Sequence, residues 1–201
     1  PANEIRRGGL GNDILDGAEG SDIYVYSLGD GVDIVNDSDD ASIAQYGYID
    51  RLELRGGISK SDVSVSISSQ NPLDLVLTLP DGGSITLTNQ LAGDARGIEQ
   101  LVFEADGILT KNELQTMALQ AQATDGNDAI TGTVNGDSIS GGLGNDTLSG
   151  GAGNDNYYYS SGDDVIVETA DNGFDQLVFS SGISAGDIEY AIDPLNTNDL
   201  L

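Results

Sequence analysis

The sequence predicts an all-β chain: two blocks of parallel coil flanking a small β-rich domain with one short helix. Three observations carry that expectation. A nine-residue phrase with fixed glycines, a fixed aspartate and a fixed apolar residue recurs in two blocks. The stretch between the blocks breaks into short runs of alternating or β-branched residues. The 201 residues include 28 glycines, few aromatics and no cysteine, a composition that leans toward disorder unless something other than disulfides adds folding energy.

The first block, expected over 1–36, holds GGLGNDILD (8–16) and GAEGSDIYV (17–25), then a looser unit, Tyr26 to Asn36, with two inserted residues before Asp33. The second, expected over 123–167, runs without a gap through ATDGNDAIT, GTVNGDSIS, GGLGNDTLS, GGAGNDNYY and YSSGDDVIV. Aligned on the aspartate as position 6, the units carry Asp13, Asp22, Asp33, Asp128, Asp137, Asp146, Asp155 and Asp164. Position 8 is always large and apolar: Leu15, Tyr24, Val35, Ile130, Ile139, Leu148, Tyr157 and Ile166. Nine residues are too few for a helix and its return, but they suit a six-residue turn and a three-residue strand. Neighbours in a short strand face opposite ways, so one inward residue per unit suffices. Two units then complete one coil, and unit n stacks on unit n+2.

Between the blocks, over 37–122, Leu52 to Leu54, Val63 to Ile67, Leu75 to Leu79 and Ser84 to Thr88 read as strands. Asp81-Gly82-Gly83 reads as a hairpin turn. Thr110 to Glu113 forms a capping box that predicts a helix continuing to Gln122. After Asp175 the chain repeats the segment that begins at Asp50, so 168–201 reads as a truncated second copy of the β-rich domain and the chain as part of a longer protein.

The charge narrows the chemistry. There are 34 acidic and 7 basic residues, a net charge of −27, and no Lys or Arg follows Lys111. Such a surface opposes nucleic acid and anionic membranes. Unpaired carboxylates also oppose compaction, and a bound cation relieves that repulsion. Stacked turns would converge two aspartates and several glycine carbonyls on one point. An oxygen cage of about six to eight ligands suits Ca2+, whereas Mg2+ demands a tighter octahedron. A calcium-free glycine-rich coil would explain position 8 but leave the invariant aspartate without a counter-charge.

The phrase GGxGxDxUx, best written here by GGLGNDTLSGGAGND, resembles the RTX calcium-binding nonapeptide of haemolysin-type proteins. The resemblance covers about 75 of the 201 residues. It implies a parallel β-roll with each ion between turns n and n+2, held by carbonyls of positions 2 and 4 of the earlier turn, positions 1 and 3 of the later, and both aspartates. Carried over, one site joins Thr133, Asn135 and Asp137 to Gly150, Ala152 and Asp155. A second joins Thr124, Gly126 and Asp128 to Gly141, Leu143 and Asp146. A third joins Gly142, Gly144 and Asp146 to Tyr159, Ser161 and Asp164. In the first block, Gly9, Gly11 and Asp13 would face Tyr26, Leu28 and Asp33, while Asp22 has no clear partner. The total is about four ions. The β-rich domain resembles the one that follows RTX blocks in some haemolysin-type proteins.

Other chemistries fall away. Without His or Cys there is neither a Ser-His-Asp triad nor a zinc site of the usual type. GGLGND lacks the spacing of a dinucleotide loop, and the acidic run from Asn36 to Asp40 lacks that of an EF-hand. Tyr157, Tyr158 and Tyr159 read as roll filling and end cover rather than a sugar platform. With those set aside, the resemblance implies a secreted, non-enzymatic module that folds on extracellular Ca2+ and aids type I secretion, within a toxin or adhesin repeat region. The alternative is the accessory tail of a secreted protease, lipase or epimerase. Expected partners are calcium ions, neighbouring modules of the parent and an unidentified surface ligand, with no membrane insertion by this segment.

Overall fold

The computed structural model describes residues 2–37, 47–93, 96–168, 173–184 and 186. Among them lie sixteen strands and one α-helix: β1 (Ile5–Arg7), β2 (Ile14–Asp16), β3 (Ile23–Ser27), β4 (Val32–Asn36), β5 (Arg51–Arg55), β6 (Ser64–Ile67), β7 (Leu75–Thr78), β8 (Ser84–Leu87), β9 (Gln100–Phe103), β10 (Gly107–Thr110), α1 (Lys111–Gln120), β11 (Ala129–Thr131), β12 (Ser138–Ile139), β13 (Thr147–Ser149), β14 (Asn156–Tyr159), β15 (Val165–Ile166) and β16 (Gln176–Phe179). The all-β expectation holds, with the helix as its one exception.

Strands of alternate units pair in parallel, as a two-unit coil requires. In the second block β11-β13-β15 form one sheet and β12-β14-β16 the other. From β11 to β15 each strand meets the strand two units on, with Ile130 opposite Leu148 and Ile139 opposite Tyr157, while β14 meets β16 across a longer step. The position-8 side chains turn into the coil and bury, from Ile130 through Tyr157. Ile166, at the last turn, remains more than a third exposed.

The first block follows the same plan but does not end where its glycines end. β1-β3 continue through β5, β9 and β10 in one five-stranded sheet; β2-β4 continue through β8, β7 and β6 in the other. Both sheets thus cross the sequence position 36/37. β5 and β9 add in parallel, and the hairpins β7–β8, β6–β7 and β9–β10 close the body antiparallel. The β7–β8 turn is locally determined. Gly82 takes φ +86°, and the Gly83 N–H donates to Asp81 Oδ1 at 3.0 Å.

Between the sheets lies one core, with Tyr24, Leu52, Leu54, Leu77, Ile85 and Leu101 almost fully buried. α1 starts at its predicted cap, where Thr110 Oγ1 accepts from the Glu113 N–H at 3.3 Å and Glu113 accepts from the Thr110 N–H at 2.7 Å. Its Leu114 and Ala118 join the body core; its Leu119 joins Ile130, Ile139, Leu148 and Tyr157 in a second, smaller core. The helix therefore sits between the body and the second coil. Of 168–201, expected to be a truncated second copy of the β-rich domain, β16 is described, and residues 187–201 lie outside the described residues. Asp39 and Asp40 of the acidic run lie outside them too.

Candidate metal centre

Each position-6 aspartate closes a glycine turn and opens a strand, so parallel pairing stacks these residues in columns. Within a column the backbone N–H of one acid donates to a carboxylate oxygen of the acid two turns on. In the second block Asp128 donates to Asp146 Oδ1 (2.9 Å) and Asp146 to Asp164 Oδ1 (3.0 Å). The neighbouring column runs from Asp137 to Asp155 Oδ1 (2.8 Å) and from Asp155 to Asp175 Oδ1 (3.0 Å). In the first block Asp13 donates to Asp33 Oδ1 at 3.0 Å.

Within these columns one oxygen of the later acid is thereby engaged. Oδ2 of Asp13, Asp22, Asp146 and Asp155 is buried and accepts no hydrogen bond from any described group. A buried acceptor left unmatched costs about 1–3 kcal/mol, and more when charged. The position-1 glycine of the same turn lies directly against it. A Cβ on Gly8 would stand 2.6 Å from Asp13 Oδ2, and one on Gly17, Gly141 or Gly150 would overlap the Oδ2 of Asp22, Asp146 or Asp155.

The carbonyls are placed by the other glycines. Gly142 and Gly144 take φ +93° and +118°, Gly151 and Gly153 +96° and +113°, a region L side chains resist. This lets each turn lie on the carbonyls of the turn two units earlier. A Cβ on Gly142 would come within 2.7 Å of Thr124 O; on Gly144, Gly151 and Gly162 it would overlap Gly126 O, Thr133 O and Gly144 O. Orphaned carboxylate oxygens, stacked carbonyls and cradles too small for a methyl group are the donor set of a hard cation, and the residues fit Ca2+.

Burial holds several of these carboxyls above their ordinary range: Asp22, Asp33, Asp137 and Asp155, desolvation being the largest cause for each. For Asp155 the N–H of Asp137 pulls the other way, while the charges of Asp137, Asp175 and Glu168 push further up. Aspartates a strand spacing apart, about 4.8 Å, repel by on the order of 3 kcal/mol in a surface-like dielectric.

In the second block the expected aspartates stand in pairs two units apart, Asp128 with Asp146, Asp137 with Asp155 and Asp146 with Asp164. Two turns differ in chemistry. Thr133 donates through N–H (2.6 Å) and Oγ1 (2.9 Å) to Asp137 Oδ2, and Thr124 does the same for Asp128 Oδ2 (2.7 and 2.9 Å). These turns match their own carboxylates in part. Some carbonyls are also engaged: Thr133 O accepts from the Ala152 N–H at 3.1 Å, and Gly142 O from the Ser160 hydroxyl. Asn135 donates its N–H to Thr133 Oγ1 at 3.1 Å. Tyr159 pairs with Phe179 in the ladder, and Ser161 lies in the last turn.

The step between β2 and β4 exceeds two units by the length of the insertion read in the sequence, with Leu15 opposite Val35, because the turn absorbs the extra residues. Gly11 therefore bridges Gly31, and Gly9 and Gly11 stand opposite the turn holding Leu28 and Asp30. The first block departs from the sequence reading at Tyr26 and at Asp22. Tyr26 belongs to β3 on the other sheet, paired with Leu54, with its hydroxyl donating to Gly31 O at 2.8 Å. Asp22, expected to lack a partner, has two. The Glu4 N–H donates to its Oδ1 at 2.7 Å, and its own N–H donates to Asp50 Oδ1 at 2.6 Å. That column goes on to Glu99, whose Oε2 accepts from the Asp50 N–H at 2.7 Å. Sequence reasoning missed Glu4, Asp50, Glu99 and Asp175 as column members. A two-unit step back from Asp22 would have found Glu4. The others follow longer and unequal steps in turns without the glycine phrase.

A family model described as RTX calcium-binding nonapeptide repeat (4 copies) matches residues 3–35 and 131–166. No curated protein matches the chain.

Proposed function

We propose that a chain carrying RTX calcium-binding nonapeptide repeats in two blocks is a calcium-triggered folding module of a secreted protein. The repeats bind Ca2+, several ions per chain. Which residues hold them is our reading: the columns Asp128–Asp146–Asp164 and Asp137–Asp155 with the carbonyls stacked between their turns, and Asp13–Asp33 in the first block. The bound ions would supply positive charge to oxygens that nothing else in the fold matches.

The observation that carries the proposal is the set of buried Oδ2 atoms without a donor on consecutive turns. A coil of three-residue strands buries little apolar surface per turn, far too little to overcome that mismatch and the ordering cost of its glycine turns. Cations that bind only the folded coil stabilise it by mass action. With extracellular-type affinities of about 10⁻⁴ to 10⁻³ M, the coils stay open where calcium is scarce and close where it is plentiful. That behaviour suits export of an unfolded chain followed by folding outside. The module is then a binding and folding device rather than an enzyme, and its internal duplication favours a repeat region of a toxin or adhesin over a hydrolase tail.

The test is circular dichroism during calcium titration, with magnesium at equal ionic strength as the control. A gain of β signal with Ca2+ and none with Mg2+ supports the reading. A β-rich spectrum that EDTA leaves unchanged in amplitude and melting temperature overturns it.

A further inference from the structure

In each block the glycine turns run out beside a second kind of acidic cluster. Asp22, Asp37 and Asp50 bring carboxylate oxygens within 4.8 Å of one another, and all three residues are buried. Asp155, Glu168 and Asp175 also bring carboxylate oxygens within 4.8 Å of one another in the second block, where Asp155 is buried and Glu168 and Asp175 are exposed. The two clusters correspond member by member. Asp22 and Asp155 are position-6 residues that follow a glycine turn, and Asp50 and Asp175 are the next members of their columns. Asp37 and Glu168 come from the segment between, which brings its acid back to the column. A tyrosine serves each third acid: Tyr24 donates to Asp37 Oδ2 at 2.6 Å, and Tyr157 donates to Glu168 Oε1.

We propose that each triad is a closing calcium site, in which a third carboxylate replaces the carbonyls that a following glycine turn would have given. The inference rests on the calcium reading of the columns and adds Asp37, Asp50, Glu168 and Asp175 to it.

Three features support it beyond the acids themselves. Asp22 is fully buried and Asp155 is 1% exposed, yet Oδ2 of each accepts no hydrogen bond. That oxygen lies on the triad side. A Cβ on Gly17 would overlap both Asp22 Oδ2 and the Tyr24 hydroxyl, and one on Gly150 would overlap Asp155 Oδ2 and reach 2.6 Å from the Tyr157 hydroxyl. The roll-side turns keep the ligand-type backbone, with positive φ at Ala18 and Gly20 and at Gly151 and Gly153. The segments that return the third acid differ in length, and the path from Asp37 to Asp50 is nearly twice that from Glu168 to Asp175. The two triads lie at corresponding places of the internal duplication, and both copies keep three acids and one tyrosine together despite that difference in length. A hydroxyl that orients a ligand carboxylate is the usual outer-shell support of a metal site.

The experiment counts bound ions per chain by calcium titration calorimetry and native mass spectrometry on the whole chain. Asp37→Asn should remove one ion and Glu168→Gln another, and the double variant two. Tyr24→Phe should leave the count intact and weaken one ion about 10- to 100-fold. Tb3+ serves as a second probe, because emission excited through tyrosine requires a ring beside the ion, and Asp37→Asn should dim it. Stability supplies a readout that a plain hydrogen-bonding role would not give. Asp37→Asn should melt higher than the parent in EDTA, where one repelling charge has gone, and lower in Ca2+. Unchanged ion counts in both single variants, with Asp146→Asn still losing an ion, overturn the closing sites and leave the columns standing. Unchanged counts in Asp146→Asn as well overturn the column reading itself.

Discussion

The two blocks share a repeat but not a way of standing up. In the first, Tyr24 and Val35 fill the same core as Leu52, Leu77, Ile85 and Leu101, because both roll sheets continue into the body. In the second, Ile130, Ile139, Leu148 and Tyr157 have mainly one another and Leu119 of α1. Each sheet there has three short strands, with β15 and β16 as the last of their sheets among the described residues. The same nine-residue phrase thus builds the end of a hydrophobic body in one place and a nearly self-contained coil in the other. On the calcium reading proposed above, the difference makes dependence on the ion a matter of what the strands pack on as much as of the turns.

The most forceful way to break this comparison is to remove the metal. In EDTA, amide hydrogen exchange should show β11 to β15 losing protection altogether, while β5, β7, β8 and β9 keep theirs. Equal loss in both regions would mean that the body, too, folds only on calcium. The complementary cut is in the body core. Leu77→Ala, at a fully buried position, should cost about 2–5 kcal/mol by chemical denaturation whether or not calcium is present. Ile139→Ala should show its cost only with calcium bound, because without it there is no coil to destabilise.

A sharper probe separates charge from hydrogen bonding within a column. Asp146→Asn keeps an acceptor for the Asp128 N–H but removes the charge at Oδ2. It should lose an ion by calorimetry and lower the calcium-bound stability of the second block by about 1.5–3 kcal/mol, the scale of interactions with a charged group. Acid should act in the opposite sense on the metal-free chain. The carboxyls of Asp22 and Asp33, in the block whose sheets continue into the body, are raised in the fold by burial. A group with a raised folded-state pKa binds its proton more tightly when folded, so it adds stability below that value and loses it as pH rises through it. In EDTA, melting temperature should therefore climb as pH falls from neutrality toward the ordinary carboxylate range. In Ca2+ the same acidification should release ions and lower it.

How far the sequence spoke for itself depended on the range of the interaction. α1 was readable because Thr110 and Glu113 settle its start within a single turn. The second block was readable because every step spans the same two units, so one turn predicts the next. The joining of β4 to β8 was not, since Val32 meets Ser84 across a separation no local pattern encodes. The displaced partner of Gly11 was hidden for a similar reason. The two residues inserted before Asp33 do show in the spacing from Tyr24 to Val35, but which residue of the enlarged turn then meets Gly11 does not, and Val35 still faces inward. Asp37 and Glu168 were invisible as a pair because one is Asp, the other Glu, and neither sits at a repeat position.

The finest distinction lies between turns that begin with glycine pairs and those that carry threonine. Thr133 and Thr124 each donate twice to the carboxylate of their own turn. At Gly142 and Gly151 no hydroxyl exists to do this, and the Oδ2 of Asp146 and Asp155 is left without a donor. The threonine turns lie at the start of the second coil, where α1 occupies the place of an earlier turn and Leu119 packs on Ile130 and Ile139. There the hydroxyl does part of what a cation does elsewhere. Thr133→Val removes the hydroxyl, keeps the backbone donor and nearly preserves the shape. Measured by denaturation in Ca2+, where the second coil is folded, it should cost about 1–3 kcal/mol, the scale of two hydrogen bonds, one given to Asp137 and one accepted from Asn135. The cost should shrink as calcium rises from the midpoint of binding to saturation, because an ion recruited to Asp137 Oδ2 takes over from the lost hydroxyl. A cost that stays constant across that range would mean the threonine turns hold themselves closed without metal, and would move the border between self-supported and ion-supported structure one turn into the second block.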